Sequence, residues 1–86
     1  MRRIIFDDKA VGWGLEDVLN RLYIKHSIAH LEDTCCWRGY LYLNEVYETL
    51  GIRWNPDDEN VCFKYPIRDR IWFEPIGDLR YEIFIK

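Results

Sequence analysis

Ile71-Trp72-Phe73-Glu74-Pro75-Ile76-Gly77-Asp78-Leu79-Arg80-Tyr81-Glu82-Ile83-Phe84-Ile85 is the stretch on which the fold turns. Two runs rich in β-branched and aromatic residues flank Gly77-Asp78, a pair suited to a two-residue hairpin loop. A third run, Val61 to Ile67, precedes them across the weaker turn signal Arg68-Asp69. The three runs predict an antiparallel C-terminal meander.

Two-residue loops would set Ile76 opposite Leu79, Glu74 opposite Tyr81, Trp72 opposite Ile83, and Tyr65 on the far side of Trp72. Side chains alternate along a strand, so parity assigns each to a face. Val61, Phe63, Tyr65, Ile67, Trp72, Ile76, Leu79, Tyr81, Ile83 and Ile85 are then expected inside. Ile71, Phe73 and Phe84 fall outside as a small apolar patch, ringed by Arg80, Glu82, Lys64 and Lys86. An apolar patch with a charged rim is the pattern of a partner-binding surface. Cover by the N-terminal strand region or the Trp13 loop is the alternative.

Upstream, Leu15 to about Leu31 has helical periodicity. At 100° per residue Leu15, Val18, Leu19, Leu22, Tyr23, His26, Ala29 and His30 share one side, expected against the sheet. Ile24, Ile28 and Leu31 form a second ridge on the opposite side, available to a second helix or to a partner. Thr34 to Gly39 breaks the pattern, and Tyr40 to Leu43 reads as a brief strand. A short helix over 45–50 follows, with Asn44 as its N-cap and Gly51 at its left-handed end. Arg2 to Phe6 reads as a strand. The expected fold is therefore α+β, with one long and one short helix on an antiparallel sheet of three or four strands.

The chain has 86 residues, room for a single domain over 1–86. Its 4 Trp, 6 Tyr and 4 Phe supply the apolar area of a folded core and argue against disorder. No apolar run approaches a membrane span, and no signal-type stretch follows Met1-Arg2-Arg3. Twelve Lys and Arg against 15 Asp and Glu leave a net charge of −3, which disfavours direct nucleic-acid binding. The acidic cluster Asp57-Asp58-Glu59 reads first as a solvated loop. A sharper reading has it, with Glu45 and Glu48, imitating phosphates toward a nucleic-acid enzyme. Cys35, Cys36 and Cys62 are odd in number and two are adjacent, so free thiols in a reducing cytoplasm are expected.

Chemistry finds little purchase. His26 and His30 have metal-ligand spacing, and Cys35 and Cys36 follow closely, but no Cys-x-x-Cys or His-Glu-x-x-His pattern accompanies them. Cys35 or Cys36 with His30 is the one nucleophile–base candidate, and no oxyanion signature surrounds it. Gly12-Trp13-Gly14 is too short for a phosphate loop. No metal, no cofactor and no catalytic residue are expected.

The segment Gly39-Tyr40-Leu41-Tyr42-Leu43-Asn44-Glu45-Val46-Tyr47-Glu48-Thr49-Leu50-Gly51-Ile52, with Trp54 after it, resembles a segment of small phage and prophage proteins of Gram-positive bacteria. There a short strand leads into a capped helix and a Leu-Gly pair. The resemblance implies a phage-borne accessory protein acting in the cytoplasm of a bacterial host. Small acidic proteins of that kind, the anti-CRISPR proteins among them, are often inhibitors of host enzymes. The reading reached is a non-enzymatic protein-binding module, a phage-encoded inhibitor of a host defence protein such as a CRISPR-Cas component. Self-association, as a homodimer or a structural accessory protein, is the alternative through the same patch, and a small metal- or thiol-dependent enzyme is the third reading.

Overall fold

The computed structural model describes residues 2–53 and 61–86. In chain order these form β1 (Arg2–Phe6), α1 (Asp17–Arg38), β2 (Tyr40–Tyr42), α2 (Leu43–Leu50), β3 (Cys62–Lys64), β4 (Ile71–Gly77) and β5 (Arg80–Ile85). The class is α+β, with one long and one short helix. One antiparallel sheet has three strands in the order β1-β5-β4, and a second pairs β2 with β3. The expected strand at 2–6 lies beside β5, matching Ile4 with Ile83.

The C-terminal strands do pair as neighbours, but one residue out of the expected register. Gly77 pairs with Arg80, Pro75 with Tyr81, Phe73 with Ile83 and Trp72 with Phe84. The loop is Asp78-Leu79, with Leu79 at a left-handed φ of 53°. Moving the loop from Gly77-Asp78 to Asp78-Leu79 shifts the pairing by two residues, and a bulge takes one back. The Trp13 indole N–H donates to the Leu79 carbonyl at 2.6 Å, holding the turn from outside the hairpin. A bulge between Pro75 and Gly77 then absorbs the extra residue, at a strand position where proline has no N–H for the ladder.

A one-residue slip moves every side chain of a strand to the other face. Ile71 and Phe73 therefore turn into the core with Tyr81, Ile83 and Ile85, while Trp72 turns out and Ile76 is exposed. The parity reading holds for β5, whose Tyr81, Ile83 and Ile85 are buried, and fails for β4. The Val61–Ile67 run also departs from expectation. Only Cys62–Lys64 is strand, and it pairs with β2 rather than lying beside β4, which leaves Tyr65 exposed. Arg70 bridges this rearranged segment to the chain's last residues. Its guanidinium donates to the carbonyls of Pro66 at 3.0 Å and of Lys86 at 2.8 Å.

The long helix also runs further than its sequence pattern suggests. Thr34 continues it, its hydroxyl donating to the His30 carbonyl at 2.9 Å, and Gly39 ends it at φ 85°. A 22-residue helix is about 33 Å long. Its buried residues are Asn20, Ile24, Ser27, Leu31 and Cys35. The expected faces are thus exchanged: Ile24 and Leu31 are core, Ile28 packs against it, and Leu15, Val18, Leu19 and Leu22 are exposed. Asn20 explains how a polar residue holds the inward side. Its amide donates to the Gly14 carbonyl and accepts from the Gly14 N–H, both at 2.9 Å, so its burial leaves neither group unpaired.

The short helix begins at Leu43, two residues before the expected start, and its N-cap is Tyr42 rather than Asn44. The Glu45 carboxylate accepts the Tyr42 N–H at 3.3 Å, satisfying one of the unpaired donors of the first turn. Gly51 closes the helix at φ 70°, where the sequence places it, with Val11 only 3.1 Å from where a Cβ would stand. Leu43, Val46 and Leu50 face inward, and Phe6, Tyr23 and Tyr81 join the two helices to the sheet in one aromatic cluster.

Candidate functional surfaces

Among the described residues two surfaces bear on recognition, one exposed and one half-buried. The first is the outward side of α1. Leu15, Val18, Leu19 and Leu22 are 81%, 71%, 58% and 46% exposed, and Trp37, further along the helix, is 89% exposed. Val18, Leu19 and Leu22 share that side of the helix as a stripe at spacings of three and four residues, and Leu15 stands just before its N-cap Glu16. Single exposed aliphatic residues need no explanation, but three on one helix face with a fourth just before it do. Exposed Glu16 and Lys25 flank the stripe, and Arg21 reaches back to Asp17 at 2.8 Å.

The second place is the outer side of the three-stranded sheet, where the one-residue slip brings Trp72 beside Phe84. The two rings stack with centroids 5.2 Å apart and 15° between their planes. Arg3 stands 5.8 Å from the Phe84 ring, and Lys86 5.9 Å from that of Trp72. This is an Arg–Phe–Trp–Lys row laid across the strands. Each ring is engaged by its aromatic neighbour and by a cation, which leaves little free π surface for a further group to stack on. Glu82 lies on the same side, 3.9 Å from Arg3.

Of the residues the sequence singles out, Phe84, Arg80 and Glu82 do share the outer side of β5, as parity requires. Ile71 and Phe73 do not join them: Ile71 is buried and Phe73 packs edge-on against Tyr81 at 6.4 Å. Ile24, Ile28 and Leu31 are core rather than partner-facing residues. Lys64 is exposed on β3, away from the expected patch. Asp57, Asp58 and Glu59 lie outside the described residues.

Sequence reasoning missed Trp72, because register was assumed from the turn, and the Leu15–Leu22 stripe, because it was assigned to the core. A signal for the second was present. Carried on through Cys35, the spacing Ile24, Ile28, Leu31, Cys35 repeats at four, three and four residues, a continuous inward ridge. The stripe starting at Leu15 instead runs into His26 and His30, both exposed.

The titratable groups are arranged accordingly. Cys35 is buried on the inward side of α1, opposite His26 and His30, and burial pushes its thiol above the usual range. A thiol held protonated is a weak nucleophile. Among the described residues no group of three or more His, Cys, Asp or Glu side chains comes together as metal ligands would. The Tyr81 hydroxyl donates to Asp17 at 2.5 Å, which lowers the carboxyl's pKa, while burial and that same carboxylate raise the phenol's. Arg38 forms an ion pair with Glu45 and holds that carboxyl below its ordinary range. It joins the end of α1 to the start of α2 and reads as architecture. Among the described residues no helix is long and apolar enough to cross a membrane.

No protein-family model and no solved structure matches this chain.

Proposed function

We propose that this chain is a non-enzymatic protein-binding module, and that the outward stripe of α1 is its recognition element. The carrying observation is the exposure of Val18, Leu19 and Leu22 on one face of a helix whose other face is already buried, with exposed Leu15 just before it. Full burial of such a side chain is worth roughly 1.5–3 kcal/mol. Four that are 46% to 81% exposed would supply about 5 kcal/mol. Association costs roughly 4–15 kcal/mol, so the stripe alone supports no tight complex. The partner adds contacts at Trp37 and at the flanking charges of Glu16 and Lys25, and presents an apolar groove to the helix. The resemblance of Gly39–Ile52 to phage and prophage proteins supports a bacterial host protein as that partner, and inhibition of a defence component such as a CRISPR-Cas protein as the consequence.

Capture from a lysate of a Gram-positive phage host tests this, with the captured protein then purified and titrated against wild type, Leu19→Asp and Trp72→Asp. Leu19→Asp is expected to weaken binding at least about tenfold, the effect of a charge placed in an apolar contact, and Trp72→Asp to leave it nearly unchanged. Equal affinity for wild type and Leu19→Asp excludes the stripe. Self-association through the same stripe is the competing outcome. Sedimentation at micromolar concentration reveals it as a dimer that Leu19→Asp dissociates.

A further inference from the structure

A hollow of about 390 Å³ lies at one end of the outer sheet side, apart from the α1 stripe. Three segments distant in sequence enclose it. The first is the end of β1 and the turn after it, closed by the Ala10 N–H donating to the Asp7 carbonyl at 2.9 Å. The second is the exit of α2, tied to the first where the Val11 N–H donates to the Gly51 carbonyl at 2.8 Å. The third is the start of β5, whose position follows from the shifted hairpin register.

Each segment contributes one cation: Lys9, Arg53 and Arg80. Among the described residues none of the three side chains has a hydrogen-bond, ion-pair or cation–π partner. Asp7 is the acid on the wall, and one of its carboxylate oxygens already accepts the Lys9 backbone N–H at 3.1 Å. Nearby Glu82 lies against Arg3. Among the described residues that line it, a chain with a net charge of −3 thus gathers three cations against one acid. The remaining wall is Ile5, Ala10 and Ile52.

That combination has a chemical meaning. Guanidinium groups present paired N–H donors that match the oxygens of a phosphate or carboxylate. The apolar wall suits the organic body behind such a head group, and the volume falls within the ordinary range of small-ligand sites, roughly 300–1,000 Å³. We propose that this hollow binds a small organic oxyanion, its head group between Arg53, Arg80 and Lys9 and its apolar body against Ile5 and Ile52.

Amide chemical-shift titration of the full chain tests the assignment, at about 0.01 M ionic strength where screening is weakest. The probes are inorganic phosphate, phenyl phosphate, benzoate and benzyl alcohol. Saturable shifts at the Ala10 and Ile52 amides are expected with phenyl phosphate or benzoate, whichever binds more tightly naming the head group. Inorganic phosphate should bind more weakly, lacking the apolar body, and benzyl alcohol not at all. Arg53→Gln and Arg80→Gln should each weaken binding roughly ten- to a hundredfold, the effect of losing a charge-assisted contact. Both side chains are without partners among the described residues, so folding should be retained, and unchanged amide spectra away from the hollow verify it. Arg68→Gln, an exposed arginine elsewhere, should change nothing. The proposal fails if no probe saturates at about 10 mM, a concentration at which even millimolar affinities are visible. It fails equally if Arg68→Gln weakens binding as much as Arg53→Gln does.

Discussion

The two sides of α1 reverse the usual expectation. The buried side carries Asn20, Ser27 and Cys35 among its five residues, while the exposed side carries Val18, Leu19 and Leu22, with Leu15 exposed just before the helix. Hydrophobicity alone would turn the helix over. What holds it in place is pairing and shape. The Asn20 side-chain amide is paired with the Gly14 N–H and carbonyl, Ile24, Leu31 and Cys35 join the core cluster, and Ser27 is buried beside them. The lesson is that a face is buried when its polar groups find partners and its apolar groups find complementary neighbours. Leucine count on the other side then becomes available to something else.

The sharpest way to break this comparison is to place the same charge on each side. Ile24→Asp puts an uncompensated carboxylate in the core and is expected to cost at least about 4 kcal/mol, enough to unfold a domain of this size. Leu19→Asp should stay within about 0.5 kcal/mol of wild type, as surface substitutions do. Urea denaturation of the two variants measures the gap. Similar losses for both would mean that α1 is rotated from the orientation described.

A smaller effect sharpens the role of the buried amide. Asn20→Ala leaves the Gly14 N–H and carbonyl without their partner and is expected to cost about 1–3 kcal/mol. Asn20→Leu, more apolar and similar in volume, should not restore the loss, because the unpaired groups remain. A stabilised Asn20→Leu in the same denaturation series would show that polarity there is dispensable.

The smallest effect concerns Tyr81 and Asp17, at the margin between the two sides. The Asp17 pKa is lowered in the fold, so the pair's contribution is present above the ordinary carboxylate range and is lost as pH falls through the lowered value. The Tyr81 pKa is raised, so stability is retained below the ordinary tyrosine range and is lost as pH rises through the raised value. Tyr81→Phe removes the alkaline dependence and weakens the acidic one, which Arg21 beside Asp17 partly maintains. Its melting temperature is expected to drop slightly at neutral pH and to lose the alkaline decline of the wild type, and an unchanged alkaline limb would show that another group titrates there.

Much of the architecture was legible in the residues. The strand at Arg2–Phe6, the left-handed end of α2 at Gly51, the pairing of the last two runs and the inward parity of Tyr81, Ile83 and Ile85 all follow from local pattern and turn chemistry. The outer surface was half legible. Phe84, Arg80 and Glu82 were assigned to the correct side, whereas Phe73 stood where Trp72 belongs. Moving the loop by one position shifts the pairing by two residues and keeps β4's parity; the bulge between Pro75 and Gly77 takes one residue back and turns β4 over, and nothing in the local pattern announces it.

From its residues alone this chain determined an α+β class, the identity and approximate order of its helices and strands, and the inward side of its last strand. Those properties rest on interactions between near neighbours, which periodicity and turn chemistry report directly. The tertiary structure decided which side of α1 is buried, which strand β3 joins, and which cations meet around the hollow. Each of these depends on a contact across many residues, such as Trp13 with Leu79, which constrains geometry without leaving a local pattern to read.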